Sequence, residues 1–404
     1  MNILFVSLSK FSSVNESGIY TDLLRQFTKI GHKVYILSPI EKKDNYTRDT
    51  IIKEKNSEII KVYTGNIQKT NSIEKGINTI LLSSRYIAAI KKYLKEVKFD
   101  LVLYPTPPVT LYNVIKYVKE RDNAKTYLML KDIFPQNAID LGILSKNGLK
   151  GIAYKYFRNQ EKKFYNVSDT IGCMSKANVN YLLKHNGYIP SNKVEVFPNC
   201  IEVKDKRIDK YEKDNIRLHY NIPTDKIVFV YGGNLGKPQG IPFIIQCLDK
   251  IKYNKSVFFL LIGSGTEVKE IKKFIEDNEC ENIRFIGHVP KEEYNLIISS
   301  CDIGLIFLDY RFTIPNFPSR LLSYMQVGLP ILSVTDRSTD IGDIIEKEKI
   351  GWSIFSNDEI RFKEKIYEIS KQNLLEKSER SFKYLYYNYN TKFNFNKILE
   401  KIRK

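Results

Sequence analysis

A glycine-rich loop between a predicted strand and a predicted helix is the stretch of this sequence best suited to chemistry. The apolar run at residues 227–231 predicts a buried strand, the loop spans residues 232–240, and an apolar helical pattern begins at Ile241. This order aims backbone N–H groups and a helix N-terminus at an anion, commonly a phosphate. A glycine-rich turn without a ligand has the same pattern, so the stretch alone leaves both interpretations open.

A lysine and a carboxylate form a second candidate group. Lys131 and Asp132 directly follow a predicted strand at residues 124–130. Because ligands bind beyond the C-terminal ends of parallel strands, Asp132 is a candidate for orienting a substrate or for general base chemistry. The alternative is that Asp132 caps the turn that follows it. No Asp-x-Asp pair follows a predicted strand, so the sequence predicts no Mg²⁺ site.

Alternating strands and helices must position both groups. Strands are predicted at residues 3–8, 34–39, 59–64, 100–104, 124–130, 170–175 and 193–199, then at 227–231, 257–262, 283–286, 302–308 and 330–334. Helices are predicted between them, among others at residues 19–30, 84–97, 176–186, 241–251, 267–277, 291–299 and 320–327. The alternation is typical of doubly wound α/β sheets. The loop after the first strand does not read G-x-G-x-x-G, so a nicotinamide dinucleotide site is not expected.

A charge-rich stretch at residues 200–224 interrupts this alternation, which restarts after it. We interpret the stretch as a linker and the opening helix of a second domain. Two successive doubly wound domains present their C-terminal loops to a cleft, where ligands commonly bind.

The chain is strongly basic. Its 404 residues include 64 Lys and Arg against 46 Asp and Glu, which gives a formal net charge of +18. Nucleic acid, an anionic membrane surface and a polyanionic substrate all suit such a charge. Nucleic acid is not expected, because the lysines are spread over nearly every predicted helix and are not clustered around a known motif. The alternative is that lysine is simply the preferred solvated residue.

Residues 143–167 combine basic residues with Ile152, Tyr156, Phe157, Phe164 and Tyr165 at helical spacing. Such a helix could lie on a membrane surface, but a domain-packing helix with a solvated lysine face is the favoured interpretation. No stretch approaches the roughly 20 apolar residues of a membrane span, and the N-terminus does not resemble a signal peptide. Five scattered cysteines predict reduced thiols. We therefore expect a cytoplasmic protein, with peripheral attachment to the inner membrane face left open.

Taken together, several segments resemble GT-B glycosyltransferases, and in particular the retaining family 4 branch that builds bacterial surface polysaccharides. The segments are residues 131–144, 194–200, 231–241, 262–267, 285–294, 301–308 and 316–332, in the order of that family. The first and third are similar to the subgroup that transfers aminosugars. The resemblance implies two Rossmann-like domains, an acceptor domain at residues 1–200 and a donor domain at 201–379. The C-terminal helix, at about 380–404, is expected to pack back on the acceptor domain.

The resemblance also implies a function and a set of site residues. The expected enzyme is a hexosyltransferase that moves a sugar, an N-acetylhexosamine or deoxy-aminosugar, from a nucleotide diphosphate such as UDP to a lipid-linked or oligosaccharide acceptor in capsule, O-antigen or exopolysaccharide synthesis. Asp132 and Lys131 are the candidate catalytic residues, and Gly18 would let the acceptor approach the backbone. The donor residues are expected to be Gly233, Asn234, Gly236, Lys237, Gln239, Gly240, Gly263, Gly265, His288, Val289, Pro318, Ser319 and Arg320.

Three departures from the family pattern concern charge. Ser323 and Pro315 stand where many members carry a pair of glutamates, as also in the aminosugar subgroup. The basic pair that grips the diphosphate would fall near Asn234 and Gln239, so Lys237 or Arg320 must supply the positive charge. Lys131 replaces a histidine that is frequent in the family.

Without a metal site, backbone N–H groups, the helix opened by Ser319 and Arg320, and cationic side chains must stabilise the leaving diphosphate. We therefore expect no metal and no cofactor beyond the nucleotide-sugar substrate. Two other functions stay open. One is a non-catalytic basic protein that binds membrane or polyanion, and the other is a UDP-sugar 2-epimerase of GT-B shape.

Overall fold

The computed structural model describes residues 1–67 and 72–403. The chain forms two compact units, which are Met1–Glu202 together with Thr391–Lys404, and Val203–Asn390. Each unit is built around one parallel sheet with helices, as the alternating pattern predicts. The predicted α/β fold with two Rossmann-like domains is confirmed.

Among the described residues, the first unit contains eight strands, and six helices of this unit precede the linker in the chain. The strands are β1 (Asn2–Val6), β2 (Lys33–Ile40), β3 (Thr50–Glu54), β4 (Ser57–Tyr63), β5 (Leu101–Pro105), β6 (Lys125–Leu130), β7 (Thr170–Cys173) and β8 (Val194–Val196). The helices are α1 (Thr21–Lys29), α2 (Ser72–Tyr93), α3 (Tyr112–Asp122), α4 (Gln136–Asp140), α5 (Gly148–Val167) and α6 (Lys176–His185).

The second unit contains a six-stranded sheet. Its strands are β9 (Ile227–Asn234), β10 (Val257–Ser264), β11 (Ile283–Ile286), β12 (Ile303–Phe307), β13 (Ile331–Thr335) and β14 (Gly351–Phe355). Its helices are α7 (Lys210–His219), α8 (Ile241–Ile251), α9 (Val268–Asp277), α10 (Lys291–Ser299), α11 (Arg320–Gln326), α12 (Ile341–Lys347), α13 (Glu359–Ile369) and α14 (Leu375–Asn388). A last helix, α15 (Thr391–Arg403), belongs to the first unit.

The strand orders are β3-β4-β2-β1-β5-β6-β7-β8 in the first sheet and β11-β10-β9-β12-β13-β14 in the second. Every pairing is parallel except β3 with β4. The central strands are apolar runs because helices cover both sheet faces; Ile3, Leu4, Phe5 and Val6 of β1 are all fully buried. The loops that follow these parallel strands therefore gather at one edge of each sheet.

The end of the chain forms two helices, and only the second of them lies in the first unit, where the whole segment at about 380–404 was expected to pack. Helix α14 belongs to the second unit, where the Ser381 hydroxyl donates to the carbonyl of Leu329 at 2.8 Å. Only α15 returns to the first unit. There the Phe395 ring lies edge-on to Phe27 of α1, with 4.8 Å between ring centroids, and Ile398 is fully buried.

The predicted helix at 143–167 and the predicted start of the helix at residue 84 were wrong in detail. Within the first of these ranges the helix is α5, which begins only at Gly148 and continues to Val167. The second is α2, which begins at Ser72 and runs for 22 residues. In the part of the chain that the structure describes, no helix is both long enough and apolar enough to cross a membrane.

The cysteines offer a simple test of the two cores. Cys173, Cys200, Cys247 and Cys301 are buried, whereas Cys280 is only half-buried, and burial raises the pKa of all five thiols. Because the thiolate is the reactive form, we expect an aromatic disulfide reagent at pH 8 to modify Cys280 first and alone in the native protein. The aromatic thiolate that the reagent releases, counted before and after the protein is denatured, checks this. Rapid reaction of a second thiol in native protein would contradict it.

Candidate functional site

The loop after β9 has the strand-turn-helix geometry that its sequence predicts. β9 ends at Asn234, residues Lys237–Gln239 form one 3₁₀ turn, and α8 begins at Ile241. Gly233 has φ of 120° and Gly240 has φ of 66°, backbone conformations that side chains rarely allow. The two glycines therefore set the path of the loop at its two ends.

Gln239 organises the middle of this loop. Its buried side-chain oxygen accepts hydrogen bonds from the Asn234 amide at 2.9 Å and from the backbone N–H of Gly236 at 3.2 Å. Asn234 and Gln239 thus bond to each other through their side chains. Lys237 is exposed, and no ion pair within residues 1–67 and 72–403 includes it.

Strand β10 supports the loop from one side. Gly263 pairs with Gly233, and the Leu235 N–H donates to the carbonyl of Ser264 at 2.9 Å. A Cβ atom at Gly263 would lie 1.9 Å from the Gly233 carbonyl oxygen, and one at Gly265 would lie 1.9 Å from the Leu235 carbonyl oxygen. Both glycines therefore let two backbones approach closely. They position the loop from its neighbouring strand, which is a different task from the donor contact expected from the sequence.

We expect Gly263→Ala to destabilise the protein strongly, by more than about 3 kcal/mol, because the new Cβ meets a backbone oxygen and φ is 144°. Denaturant unfolding measures the change. Gly287→Ala is the matched control, since nothing lies within 4 Å of a Cβ at that position. Equal stabilities of the two variants would show that the loop does not depend on this close approach.

Arg320, the first residue of α11, lies beside the loop. Its guanidinium carbon is 4.3 Å from the ring centroid of Tyr231, and a Cβ built on Gly233 would lie 3.6 Å from that carbon. Nη1 of Arg320 is buried and has no hydrogen-bond partner among the described residues. A guanidinium has five N–H donors and is always charged. The arrangement leaves a cation and at least one donor available beside the Gly233 backbone.

Neutral tyrosines surround this arginine. The Tyr324 hydroxyl accepts from the Gly232 N–H at 2.9 Å and donates to the Leu305 carbonyl at 3.2 Å, and the Tyr231 hydroxyl donates to the Asn234 carbonyl at 2.8 Å. Burial raises the pKa of Tyr294 to about 12, so its hydroxyl stays protonated at neutral pH. The charge of Arg320 is therefore not balanced by the tyrosines, and the surroundings favour an anion.

A second loop, after β12, closes on the glycine loop. Asp309 is buried, its N–H donates to the Pro238 carbonyl at 3.0 Å, and Arg311 donates to both of its carboxylate oxygens at 2.8 and 2.7 Å. Asp309 is thus a neutralised, structural carboxylate. The hydrogen bonds from Asp309 to Pro238 and from Gly232 to Tyr324 were not predicted, because they join segments far apart in sequence.

The remaining donor residues lie nearby along the same sheet edge or one strand further out. His288 is exposed and Val289 is half-buried, in the loop after the edge strand β11. Pro318 is half-buried and Ser319 is exposed immediately before α11, which has only seven residues. The structure therefore brings Arg320 to Gly233, whereas His288 and Val289 follow a strand that β10 separates from β9.

Asp132 lies in the first unit, on the wall of a cavity of about 1030 Å³. Its Oδ2 accepts a hydrogen bond from the Asn137 amide at 2.7 Å, while its Oδ1 is buried without a partner in the described chain. Burial raises the pKa of this carboxyl to about 6, against the lowering effect of the hydrogen bonds from Ile133 and Asn137. Such a carboxylate is mostly ionised at pH 7 and can still accept a proton.

Lys131 and Asp132 are neighbours in the chain but point to different surroundings. The Lys131 ammonium lies 5.2 Å from the Phe197 ring centroid and donates to the Phe197 carbonyl at 3.4 Å. Burial lowers its pKa to about 8, and Lys131 is not among the residues that line the Asp132 cavity. Of the two candidate catalytic residues, only Asp132 therefore reaches that cavity.

Gly18 is part of the turn before α1. Its N–H donates to the Asp22 carboxylate at 3.1 Å, and its carbonyl accepts from the Asp22 N–H at 2.8 Å. A Cβ at this position would lie 2.9 Å from the Thr21 hydroxyl oxygen. Within residues 1–67 and 72–403, no group of three or more His, Cys, Asp or Glu side chains comes together in a way that could hold a metal ion.

Two protein-family models match adjoining parts of this chain. Residues 19–205 match "Glycosyltransferase Family 4", and residues 212–386 match "Glycosyl transferases group 1". Each match lies almost entirely within one of the two units. With its two parallel Rossmann-like sheets, this chain belongs to the GT-B glycosyltransferases.

Individual relatives agree with this class. A protein of Pseudomonas aeruginosa named as a probable glycosyltransferase, WbjE, is 27% identical over 76% of this chain and 74% of its own length. An O-antigen biosynthesis glycosyltransferase of Escherichia coli, WclY, is 26% identical over 36% of this chain and 38% of its own. Anabaena HepE, in its crystal structure in complex with UDP, shares 12% sequence identity with this chain. The two structures superpose with a TM-score of 0.70 over all of both chains. The predicted enzyme class is confirmed.

Proposed function

We propose that this glycosyltransferase transfers a sugar from a uridine diphosphate donor to a lipid-linked glycan during the synthesis of a cell-surface polysaccharide. The observation that carries the donor assignment is the Arg320 guanidinium, which lies among neutral tyrosines beside the Gly233 backbone with Nη1 unpartnered in the described chain. The crystal structure of the structurally similar HepE contains UDP, and the relative WclY is named for O-antigen biosynthesis; both support the proposal.

The chemistry needs stabilisation of a leaving group. The bond between the anomeric carbon and the diphosphate oxygen breaks, and a bond from that carbon to the acceptor oxygen forms. Arg320 and the backbone N–H groups of the Gly233 loop would stabilise the negative charge that develops on the diphosphate. The hydroxyl proton of an acceptor held at Asp132 would pass to that carboxylate.

Three further parts of the proposal rest on resemblance to the aminosugar subgroup of family 4. The transferred sugar is an N-acetylhexosamine or its deoxy relative, the anomeric configuration is retained, and no metal ion takes part. The absence of the glutamate pair, with Ser323 and Pro315 at those positions, supports the subgroup assignment. Anionic lipid head groups at a membrane surface are a further proposed partner of this +18 chain.

A panel of nucleotide sugars tests the function. We expect UDP and UDP-N-acetylhexosamines to raise the unfolding temperature in the presence of a chelator, because a ligand that binds only folded protein stabilises it. Slow release of free UDP should accompany this binding. If GDP or TDP sugars alone stabilise the protein, the assigned base is wrong. Interconversion of two UDP-sugars without free UDP would instead identify an epimerase, and no binding by any nucleotide sugar would contradict the proposal.

A further inference from the structure

We propose that the cavity beside Asp132 binds the hydrocarbon chain of a lipid phosphate, which places the polar head of the acceptor lipid at the Asp132 end. This inference deepens the proposed function, and it rests on that function for the claim that the bound lipid is the acceptor. The cavity lies wholly within the first unit and has a volume of about 1030 Å³, enough for a long aliphatic chain.

One wall is an apolar stripe on the N-terminal half of α5. Leu149, Ile152, Ala153, Tyr156 and Phe157 all line the cavity. Their spacing of three and four residues puts them on one face of the helix. Leu149 is 86% exposed and Ile152 is 67% exposed, values unusual for neighbouring aliphatic side chains on one helix face. By contrast Phe164 and Tyr165, further along α5, are buried, so the exposed aliphatic side chains of this face lie on the first half of the helix.

The opposite wall is also apolar and is held in place. It includes Ile80 of α2, the Pro107 and Pro108 loop after β5, and Phe134. The Phe134 ring packs edge-on against Phe157, with centroids 5.0 Å apart, and so links this wall to the stripe. A chain lying between the walls would cover Ile80, which is 65% exposed, together with the stripe.

The cavity lining also includes polar residues. Thr110, Asp132 and Asn137 line it, and each has one side-chain oxygen that is buried without a hydrogen-bond partner in the described chain: Thr110 Oγ1, Asp132 Oδ1 and Asn137 Oδ1. Because buried polar atoms are nearly always satisfied in native proteins, these oxygens favour a ligand that donates hydrogen bonds. A wholly hydrocarbon occupant would leave all three unsatisfied. A lipid monophosphate, whose singly protonated phosphate can donate a hydrogen bond beside its hydrocarbon chain, fits both the apolar and the polar lining residues.

Charge on the flanks of the stripe favours a phosphate. Lys150 and Lys155 are exposed, lie on the two sides of the stripe by helical position, and take part in no ion pair described for this chain. A smaller cavity of about 490 Å³ adjoins the first, since Leu8 and Pro107 line both. Its other lining residues include Ser7, Ser9 and Thr106, which suit a sugar or phosphate head group.

Calorimetric titration of the full-length chain with farnesyl phosphate, below its micelle concentration, tests the inference. We expect saturable binding that Leu149→Ser and Ile152→Ser each weaken about tenfold, because each removes one exposed aliphatic contact. Leu218→Ser is the matched control, since Leu218 is 66% exposed on α7 of the other unit. Both stripe positions are exposed, so the variants should fold, and their unfolding temperatures confirm this.

Five outcomes decide the matter. Unchanged affinity in both stripe variants, or inorganic phosphate binding as tightly as farnesyl phosphate, overturns the hydrocarbon site. A third outcome, seen by sedimentation, is a wild-type dimer that dissociates in Leu149→Ser while lipid affinity is unaltered. That result assigns the stripe to contact with a second copy of the chain and also overturns the hydrocarbon site. UDP is titrated in the same samples. Lipid binding without UDP binding leaves the lipid site standing and refutes the donor assignment, whereas UDP binding without lipid binding refutes the lipid site alone.

Discussion

Arg320→Ala is expected to lower kcat/KM for the sugar donor about a thousandfold, an effect of about 4 kcal/mol. The reason is that Arg320 is the cation beside the Gly233 loop, where neutral Tyr231 and Tyr324 provide no substitute charge. Most of the loss should fall on kcat, because negative charge on the diphosphate is largest as the glycosidic bond breaks. Initial rates of UDP release, measured over donor concentrations from limiting to saturating, give both kcat and kcat/KM.

Two other arginine variants separate charge from packing. Arg320→Lys keeps a positive charge but not the planar fork, so it should recover part of the activity. Arg337→Ala removes an arginine that stacks on Phe355 at 4.0 Å in the same unit, and it should leave the rate unchanged. If Arg320→Ala retains more than about a tenth of the wild-type rate, backbone N–H groups and Lys237 stabilise the leaving group without Arg320.

Asp132→Asn is expected to lower the rate of transfer to the acceptor by a factor of about 10² to 10⁴ while UDP affinity stays unchanged. The carboxylate form must be present to orient or deprotonate an acceptor hydroxyl. With a pKa of about 6, the wild-type rate should rise through pH 6 and level off above pH 7. The Asp132→Asn variant should lose that limb. A pH profile of transfer, with Glu120→Gln as a surface carboxylate control, measures both effects.

The same substitution should stabilise the fold. The Asp132 pKa is raised from 3.8 to about 6 in the folded protein, so the folded state holds a proton that the unfolded state releases between those values. Stability is therefore lost as the pH rises from about 4 through 6, by about 3 kcal/mol in all. Asp132→Asn removes this loss, and denaturant unfolding at pH 8 should show the variant to be more stable. Equal stability at pH 8 would mean that the buried Oδ1 is solvated.

Much of the fold could be predicted because it follows from local apolar patterns. The predicted helix at residues 241–251 and the predicted strand at 283–286 coincide with α8 and β11. β3 was not predicted, since its residues alternate between exposed and half-buried as an antiparallel edge strand. β14 was not predicted, because the Gly351–Phe355 segment becomes a buried strand through its pairing with β13, which its local sequence does not show.

The candidate site was predictable only in part. The glycine loop and Arg320 are visible in the sequence as local motifs. The hydrogen bond from Gly232 to Tyr324 spans 92 residues, and no local pattern predicts it. The donor contact expected of Gly263 and Gly265 stays a prediction, and the sequence did not show that their missing Cβ atoms leave space for the neighbouring backbone. Ile152, Tyr156 and Phe157 of the α5 stripe were recognised from their spacing. Only the structure shows that Leu149 and Ile152 are exposed whereas Phe164 is buried.

The return of α15 to the first unit has a consequence for biosynthesis. Phe395 and Ile398 complete the apolar core around Phe27, yet the ribosome makes them only after the whole of Val203–Asn390. Synthesis at about 5–20 residues per second delays them by roughly 10 to 40 seconds. Throughout that time the nascent first unit exposes the surface that α15 will cover. The unit made first is therefore the last to be completed, and chaperone binding should be concentrated on it rather than on the unit that follows.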